Sequence, residues 1–349
     1  MLVRFAIIGC GKITERLTLP QLRRCPDAKV TALVDKDRAA AKRLADQFGL
    51  DRHRIWTNWS EMLRGAEADA VAVNLPNVLH AEVTVAALKA KKHVLVEKPM
   101  ALTLAEADAM MRAARANQRL LMVEHTQRFD PVHEAAHGIL RRETLGRITQ
   151  LRGRIGHAGP EYWTGRKRSW FTDKRRSGGG ALFDIGVHIV DVLRWLSGKE
   201  VRRIFCQAKT LQKRVTVEDN ASALLEFTDG TLGSFEASWT TRPYEMTTHF
   251  YGERGQLRTA IGSRHPLLVQ LCRRKGDPNK PAGEAVSPVV RSSSRLGGAY
   301  PSFVASITQR STTPFISGEE GRRTLEVILA AYESVRTGRW VRLPLTRTS

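Results

Sequence analysis

Val3-Arg4-Phe5-Ala6-Ile7-Ile8-Gly9-Cys10-Gly11-Lys12-Ile13-Thr14 is the stretch from which the rest of the chain can be read. Its apolar run predicts a short buried strand, and the Gly-x-Gly that follows leads into a helical pattern. Such a turn has a mechanical reason to take a pyrophosphate. The first glycine permits the tight bend, the second lets backbone approach the phosphates, and the helix start offers N–H groups and the positive end of a dipole. Thr14 stands where the dinucleotide fingerprint has a third glycine or alanine, so the motif alone also reads as a turn with incidental glycines. Asp35 adds context. It ends the second strand pattern, 24 residues after Gly11, where a carboxylate can hold the adenosine ribose hydroxyls. The same carboxylate would repel a 2′-phosphate, which favours NAD(H). Lys36 and Arg38 soften that repulsion and leave NADP(H) open.

Outward from this turn, residues 1–125 alternate strand and helix patterns. Strands are expected at 3–8, 29–34, 70–74, 93–96 and 120–123, and helices at 12–24, 36–48, 78–91 and 104–117. Short, wholly apolar strands between helices predict a doubly wound parallel sheet covered on both faces. After Pro131 the pattern changes. A helix to about Arg142 is followed by a strand from about Gly146 to Ile155, an irregular loop, and a helix over 181–197 that ends at Gly198. Strands at 201–211, 221–228, 231–240, 246–251 and 255–260 predict a large open, mostly antiparallel sheet with helices on one face. A final amphipathic helix spans Gly318 to Thr337, and Trp340-Val341-Arg342-Leu343 closes the fold. The expected division is a nucleotide-binding domain at 1–125 and an α/β substrate and oligomerisation domain at 126–349.

Three further stretches bear on chemistry. Asn74-Leu75-Pro76-Asn77-Val78-Leu79-His80 places a polar loop at the carboxyl edge of the sheet, although His80 alone reads better as a packing residue. Glu97-Lys98-Pro99 ends a buried strand, where a lysine can point into the ligand crevice. Spacing alone also fits a solvated loop lysine. Gly178-Gly179-Gly180-Ala181-Leu182-Phe183-Asp184-Ile185-Gly186-Val187-His188 sets Asp184 and His188 one helical turn apart, on a shared face. The glycines would allow close backbone approach to a ligand. Asp184 could instead be a charge favourable to the helix dipole, and His188 a satisfied half-buried residue.

With these elements in order, the chain resembles the Gfo/Idh/MocA family (glucose–fructose oxidoreductase, inositol 2-dehydrogenase and rhizopine-catabolism proteins) over nearly its full length. The resemblance rests on Gly9-x-Gly11, Pro76 to His80, Glu97-Lys98-Pro99, Arg128-Phe129-x-Pro131 and the glycine–Asp184–His188–Asp191 string. It implies an N-terminal Rossmann domain, a C-terminal α/β domain on an open sheet, and catalysis by Lys98 and His188 with Asp184 assisting. The cofactor side would comprise Gly9, Cys10, Gly11, Lys12, Ile13, Asp35, Lys36, Asn74, Leu75, Pro76, His80, Glu97, Lys98 and Trp170. The substrate side would comprise Lys98, His157, Tyr162, Asp184 and His188. No metal is expected.

The expected reaction is hydride transfer between a nicotinamide and a hydroxyl-bearing carbon of a sugar, cyclitol or sugar derivative. His188 is the expected base, since its unperturbed pKa suits proton transfer near neutrality. Lys98 and His188 would serve one hydroxyl. Two rivals stand beside this reading: an NAD-dependent glycosidase with transient redox chemistry, and a nonenzymatic nucleotide-binding regulator.

The net charge of +21 comes with arginines dispersed along helices and strands and with no nucleic-acid docking motif, so no nucleic-acid role is expected. Arg166, Lys167, Arg168, Lys174, Arg175 and Arg176 crowd the approach to the glycine run and would favour an anionic sugar, if they are more than solvated surface. Residues 262–299 read as a basic surface excursion. Scattered cysteines and the absence of an apolar leader or membrane span point to the cytoplasm. An open sheet face implies a homodimer or homotetramer.

Overall fold

The computed structural model describes residues 1–165, 168–273, 277, 279–291, 294 and 296–346. The chain folds as two compact units. The first comprises Met1–Thr126, Arg175–Gly178 and Leu296–Leu325, and the second comprises Gln127–Lys174, Gly179–Arg295 and Glu326–Ser349.

The first unit is built on a parallel sheet of six strands: β1 (Val3–Ile8), β2 (Ala28–Val34), β3 (Ile55–Trp56), β4 (Ala70–Val73), β5 (His93–Glu97) and β6 (Leu121–Glu124). Their order is β3-β2-β1-β4-β5-β6, all parallel, so the direction of winding reverses between β1 and β4. All four residues of β4 are buried, as are those of β6, because helices cover both faces. Local chemistry sets the helix ends. Asp37 accepts from the backbone N–H groups of Ala39 and Ala40, and Thr103 with Glu106 forms a reciprocal capping box. The expected strands and helices lie close to the observed ones. The two-residue strand β3 and the helix Trp59–Gly65 were not expected, since elements this short carry too little periodicity to register. The chain also returns to this unit late. The helix Ala299–Thr308 sets Tyr300 and Phe303 edge-on to Phe5, with ring centroids 6.0 and 6.4 Å apart.

The second unit holds an eight-stranded sheet: β7 (Ile148–Gly156), β8 (Val201–Lys209), β9 (Asn220–Phe227), β10 (Leu232–Ser238), β11 (Glu245–Gly252), β12 (Gly255–Ala260), β13 (Leu267–Leu271) and β14 (Val341–Arg342). The order is β13-β12-β11-β7-β10-β9-β8-β14, antiparallel throughout except where β7 and β10 run parallel. The helix Val187–Ser197 packs on β7 and β10, burying Leu151, Ile155, Phe235 and Ala237 on that face. Alternate residues turn the other way and carry charge: Arg154 pairs with Glu245 at 3.0 Å, and Arg203 with Glu226 at 2.6 Å. Residues 262–299 are not simply a surface excursion. Leu267–Leu271 adds an edge strand to β12, and Val269 bridges to Val286. Alternation over five residues is outweighed, in sequence, by the glycines, prolines and arginines around it.

His93 at the start of β5 gives the first unit a pH dependence. Its Nδ1 accepts the Leu120 N–H at 3.0 Å, and burial, helped by Arg119, pushes its pKa down to about 4. An unfolded histidine titrates near 6.5. Below that pH the unfolded chain binds a proton that the folded ring refuses. Stability present above about pH 6.5 is therefore lost as pH falls through about 4. Melting temperatures measured across this range should fall with pH, and His93→Gln, which cannot protonate, should show a shallower decline.

Candidate active site

In the first unit, β1 delivers the Gly9–Gly11 turn at the carboxyl edge of the sheet. Gly9 has φ +101°, and a Cβ there would collide with the backbone carbonyl of Asn74. Only glycine fits. Gly11 is the opposite case: nothing lies within 4 Å of where its Cβ would project, so the turn presents open backbone beside a helix start. These features suit a pyrophosphate. Thr14, the departure from the glycine fingerprint, is fully buried and ties the turn internally. Its hydroxyl donates to the Gly9 carbonyl at 2.5 Å and accepts from Asn74 Nδ2 at 2.9 Å. Asn74 Nδ2 also donates to Thr18 Oγ1 at 2.9 Å. The Thr18 hydroxyl lies 2.9 Å from that of Tyr300, which donates to Glu124 Oε2 at 3.2 Å.

Asp35 is drawn toward the same turn. Its Oδ2 accepts the Cys10 N–H at 2.8 Å and its Oδ1 accepts the Asp37 N–H at 2.9 Å. A carboxylate has about four lone-pair sites, so it retains capacity for ribose hydroxyls. Lys12, paired with Glu15 at 3.0 Å, and Lys36 lie exposed on either side. Leu75 and Pro76 follow β4, next to the reversal of strand order where open α/β sheets bind ligands.

Glu97 ends β5 in register with Glu124 of β6, and both are buried. Burial first, and then the Glu97 charge, hold the Glu124 carboxyl well above the usual carboxylate range. Half-buried Lys98 follows, its N–H donating to Glu97 Oε2 at 3.2 Å. His80, expected against the cofactor, has another task. It is fully buried, with Nδ1 2.8 Å from the Pro99 carbonyl and Nε2 2.8 Å from that of Leu75. Its ring clamps together the loops after β4 and β5, and its side chain has no surface left to offer a ligand.

In the second unit, Asp184 lies in a π-helical turn, Leu182–Gly186, that runs directly into the helix Val187–Ser197 carrying His188. Trp239, fully buried, donates its indole N–H to Asp184 Oδ2 at 3.1 Å. His157, at the end of β7, accepts the Gly159 N–H on Nδ1 at 2.9 Å, so its neutral ring carries the proton on Nε2. That nitrogen stands 3.9 Å from Asp184 Oδ2. Trp163 meets His157 edge-on at 4.5 Å, and Trp170 stacks on Phe171 at 3.8 Å. Tyr162 is 62% exposed, beneath the Arg242 guanidinium. The structure thus gathers His157 and Trp239 around Asp184 Oδ2, and the sequence did not single out Trp239 because one buried tryptophan in a strand reads as core.

The glycine run serves packing, where sequence suggested approach to a ligand. A Cβ on Gly179 would collide with the Tyr332 hydroxyl, and one on Gly180 with the Glu218 backbone carbonyl. Gly186 sits against Leu182 and Ala237. One helical turn beyond His188 and two beyond Asp184, Asp191 takes both arms of Arg128, at 2.8 and 2.7 Å, with the two side chains 1% and 3% exposed. Removing one partner of such a pair typically costs about 3–5 kcal/mol. Of the basic cluster, Arg166 and Lys167 lie outside the described residues, and Arg168, Lys174, Arg175 and Arg176 are exposed.

This arrangement has known counterparts. Residues 3–125 match the family model described as an oxidoreductase family with an NAD-binding Rossmann fold, and residues 133–258 match the GFO/IDH/MocA C-terminal domain. The UDP-kanosamine synthase oxidoreductase subunit described from Amycolatopsis mediterranei is 31% identical over 304 residues, 79% of this chain and 81% of that protein. The 1,5-anhydro-D-fructose reductase of Ensifer adhaerens is 28% identical over 339 residues, covering 96% of this chain and 97% of that one. The structure of GenD2 from gentamicin A biosynthesis, in complex with NAD, aligns with a TM-score of 0.83 at 25% identity, over 99% of this chain and 97% of that chain. The chain belongs to the GFO/IDH/MocA oxidoreductase family, and its first unit is the NAD-binding Rossmann fold of that family.

The two glycines of the turn should separate folding from binding. Gly11→Ala places a methyl in open space and should leave the melting temperature unchanged while weakening NADH at least about tenfold, by obstructing the phosphates. Gly9→Ala should lower both, because the backbone itself must move. Paired thermal melts and NADH fluorescence titrations distinguish the two outcomes.

Proposed function

We propose that the protein is an NAD(P)-dependent dehydrogenase or reductase acting on a CH–OH group of a sugar, cyclitol or sugar derivative, with NAD(H) preferred. The observation that carries this reading is the position of Lys98. It leaves the carboxyl end of β5, one strand from the β1/β4 reversal over which the Gly9–Gly11 turn opens. Two relatives named for a sugar ketone and a nucleotide sugar support the substrate class.

A bound nicotinamide would supply the acceptor or donor for a hydride exchanged with the carbinol carbon. Gly9, Cys10, Gly11, Lys12 and Ile13 would cradle the pyrophosphate, and Asp35 with Lys36 would meet the adenosine ribose. Asn74, Leu75, Pro76, Glu97 and Trp170 border the remainder. Lys98 hydrogen-bonds the reacting oxygen and stabilises the negative charge that develops there. His188 removes the hydroxyl proton in oxidation and restores it in reduction. Asp184, oriented by Trp239, positions the substrate or the His188 ring, and His157 and Tyr162 flank the substrate. The charged sheet face opposite the helices pairs with a second copy, which light scattering of the purified protein can test. Cytoplasmic location fits the absence, among the described residues, of any helix long and apolar enough to cross a membrane.

Lys98→Ala and His188→Ala should each lower kcat/KM by about 10² or more, the usual scale for positioned acid–base groups, with binding of the cofactor's adenine end little weakened. The measurement is single-turnover hydride transfer against a panel of sugars and cyclitols. Normal transfer in His188→Ala, or glycoside cleavage with no net NAD(P)H, would overturn the assignment. Side-by-side titration should show NADH binding more tightly than NADPH, and a tenfold preference for NADPH would reverse the role given to Asp35.

A further inference from the structure

The start of the helix that bears Asp184 and His188 is held by a residue the mechanism does not use. Glu218 Oε1 accepts the Gly180 N–H at 2.8 Å, the Leu182 N–H at 3.1 Å and the Tyr332 hydroxyl at 2.7 Å. The Glu218 backbone carbonyl takes the intervening Ala181 N–H at 2.9 Å. One residue thus satisfies three consecutive N–H groups that have no acceptor within their own helix. Asp184 N–H then donates to the Gly180 carbonyl at 2.9 Å, so Asp184 follows within one turn of this anchor and His188 one turn later. Gly179 and Gly180 are what let Tyr332 and Glu218 come so close.

We propose that Glu218, locked by the Tyr332 hydroxyl, is a positioning residue that fixes the rotation and depth of the Asp184–His188 turn. Solvation does not explain a carboxyl in this place. It is buried enough for its pKa to be raised, and the partners it meets are donors: the N–H groups of Gly180, Leu182 and Glu218 itself, and the Tyr332 phenol. The fixed geometry matters because a misplacement of about 1 Å at a reacting group can lower a rate about a hundredfold. Glutamine retains an acceptor oxygen at the same reach. Aspartate stops one methylene short, and alanine supplies none.

The inference rests on the roles given above to Asp184 and His188, so the test reads the anchor and the chemistry separately. Hydrogen exchange by mass spectrometry should show residues 180–188 opening faster in Glu218→Ala, and little changed in Glu218→Gln. Single-turnover hydride transfer should drop about tenfold or more in Glu218→Ala, at unchanged NADH affinity, with Glu218→Gln close to wild type. Should Glu218→Ala not fold, Glu218→Asp carries the same expectation. Unchanged exchange at 180–188 overturns the anchor itself. Faster exchange with normal turnover, while His188→Ala is inactive, overturns the positioning role. Faster exchange with normal turnover in both Glu218→Ala and His188→Ala overturns the assignment of His188, and the positioning role falls with it.

Discussion

The buried carboxamide of Asn74 is the constraint around which the first unit is organised. Its backbone N–H pairs with Ile8 at 2.8 Å, its carbonyl lies under Gly9, and its Nδ2 reaches both Thr14 and Thr18. One residue at the end of β4 therefore sets the height of the turn after β1 and the first turns of the helix behind it. Through Thr18 and Tyr300 the same network fastens a helix that the chain adds some 200 residues later in sequence. Buried networks of this kind rigidify when every member is satisfied and are costly when one partner is lost. The turn that opens at Gly11 is tied on its inner side to Thr14 and, through it, to Asn74.

The second unit solves a similar problem with a carboxyl. In both units the helix carrying the candidate chemistry begins with a π turn, Thr14–Thr18 in one and Leu182–Gly186 in the other. Such turns recur at functional sites because the wider ring re-aims side chains and frees backbone groups that need partners from elsewhere. Asn74 holds the hydroxyls of Thr14 and Thr18 in the first turn, and Glu218 takes the Leu182 N–H that opens the second. Farther along the second helix, Arg128 and Asp191 form a bidentate pair removed from water, unlike the many exposed pairs of this basic chain. Exposed pairs such as Arg154 with Glu245 contribute about 0–1 kcal/mol.

Strand and helix positions were legible in the first 125 residues because parallel strands buried on both faces are apolar along their whole length, and the helices between them carry caps. The antiparallel strands were legible as short strand runs close together after the helix that ends at Gly198. β3 and β13 escaped because two or five residues amid glycine, proline and arginine carry too little pattern. The nucleotide turn, Lys98, and the Asp184–His188 pair were visible as local strings, since close backbone approach and shared helix faces are encoded within a few residues.

What the sequence by itself determined is the class of fold and the family, with a set of candidate residues for the chemistry. Tertiary structure decided what those residues lean on. Thr14 reads as a defect in a fingerprint until its hydroxyl is seen tying Gly9 to Asn74. His80, a packing residue by its own sequence and a cofactor contact only by the family resemblance, has both ring nitrogens on carbonyls, and the glycine run reads as a ligand cradle until Tyr332 and Glu218 are seen filling the space. Trp239, Glu218, Tyr300 and Tyr332 lie from 55 to 282 positions away from the residues they hold, except where Glu218 reaches 36 and 38. The physical reason is range: propensity and periodicity act over one or two turns of chain, whereas a buried polar group takes its partner from whatever folding brings within 3 Å.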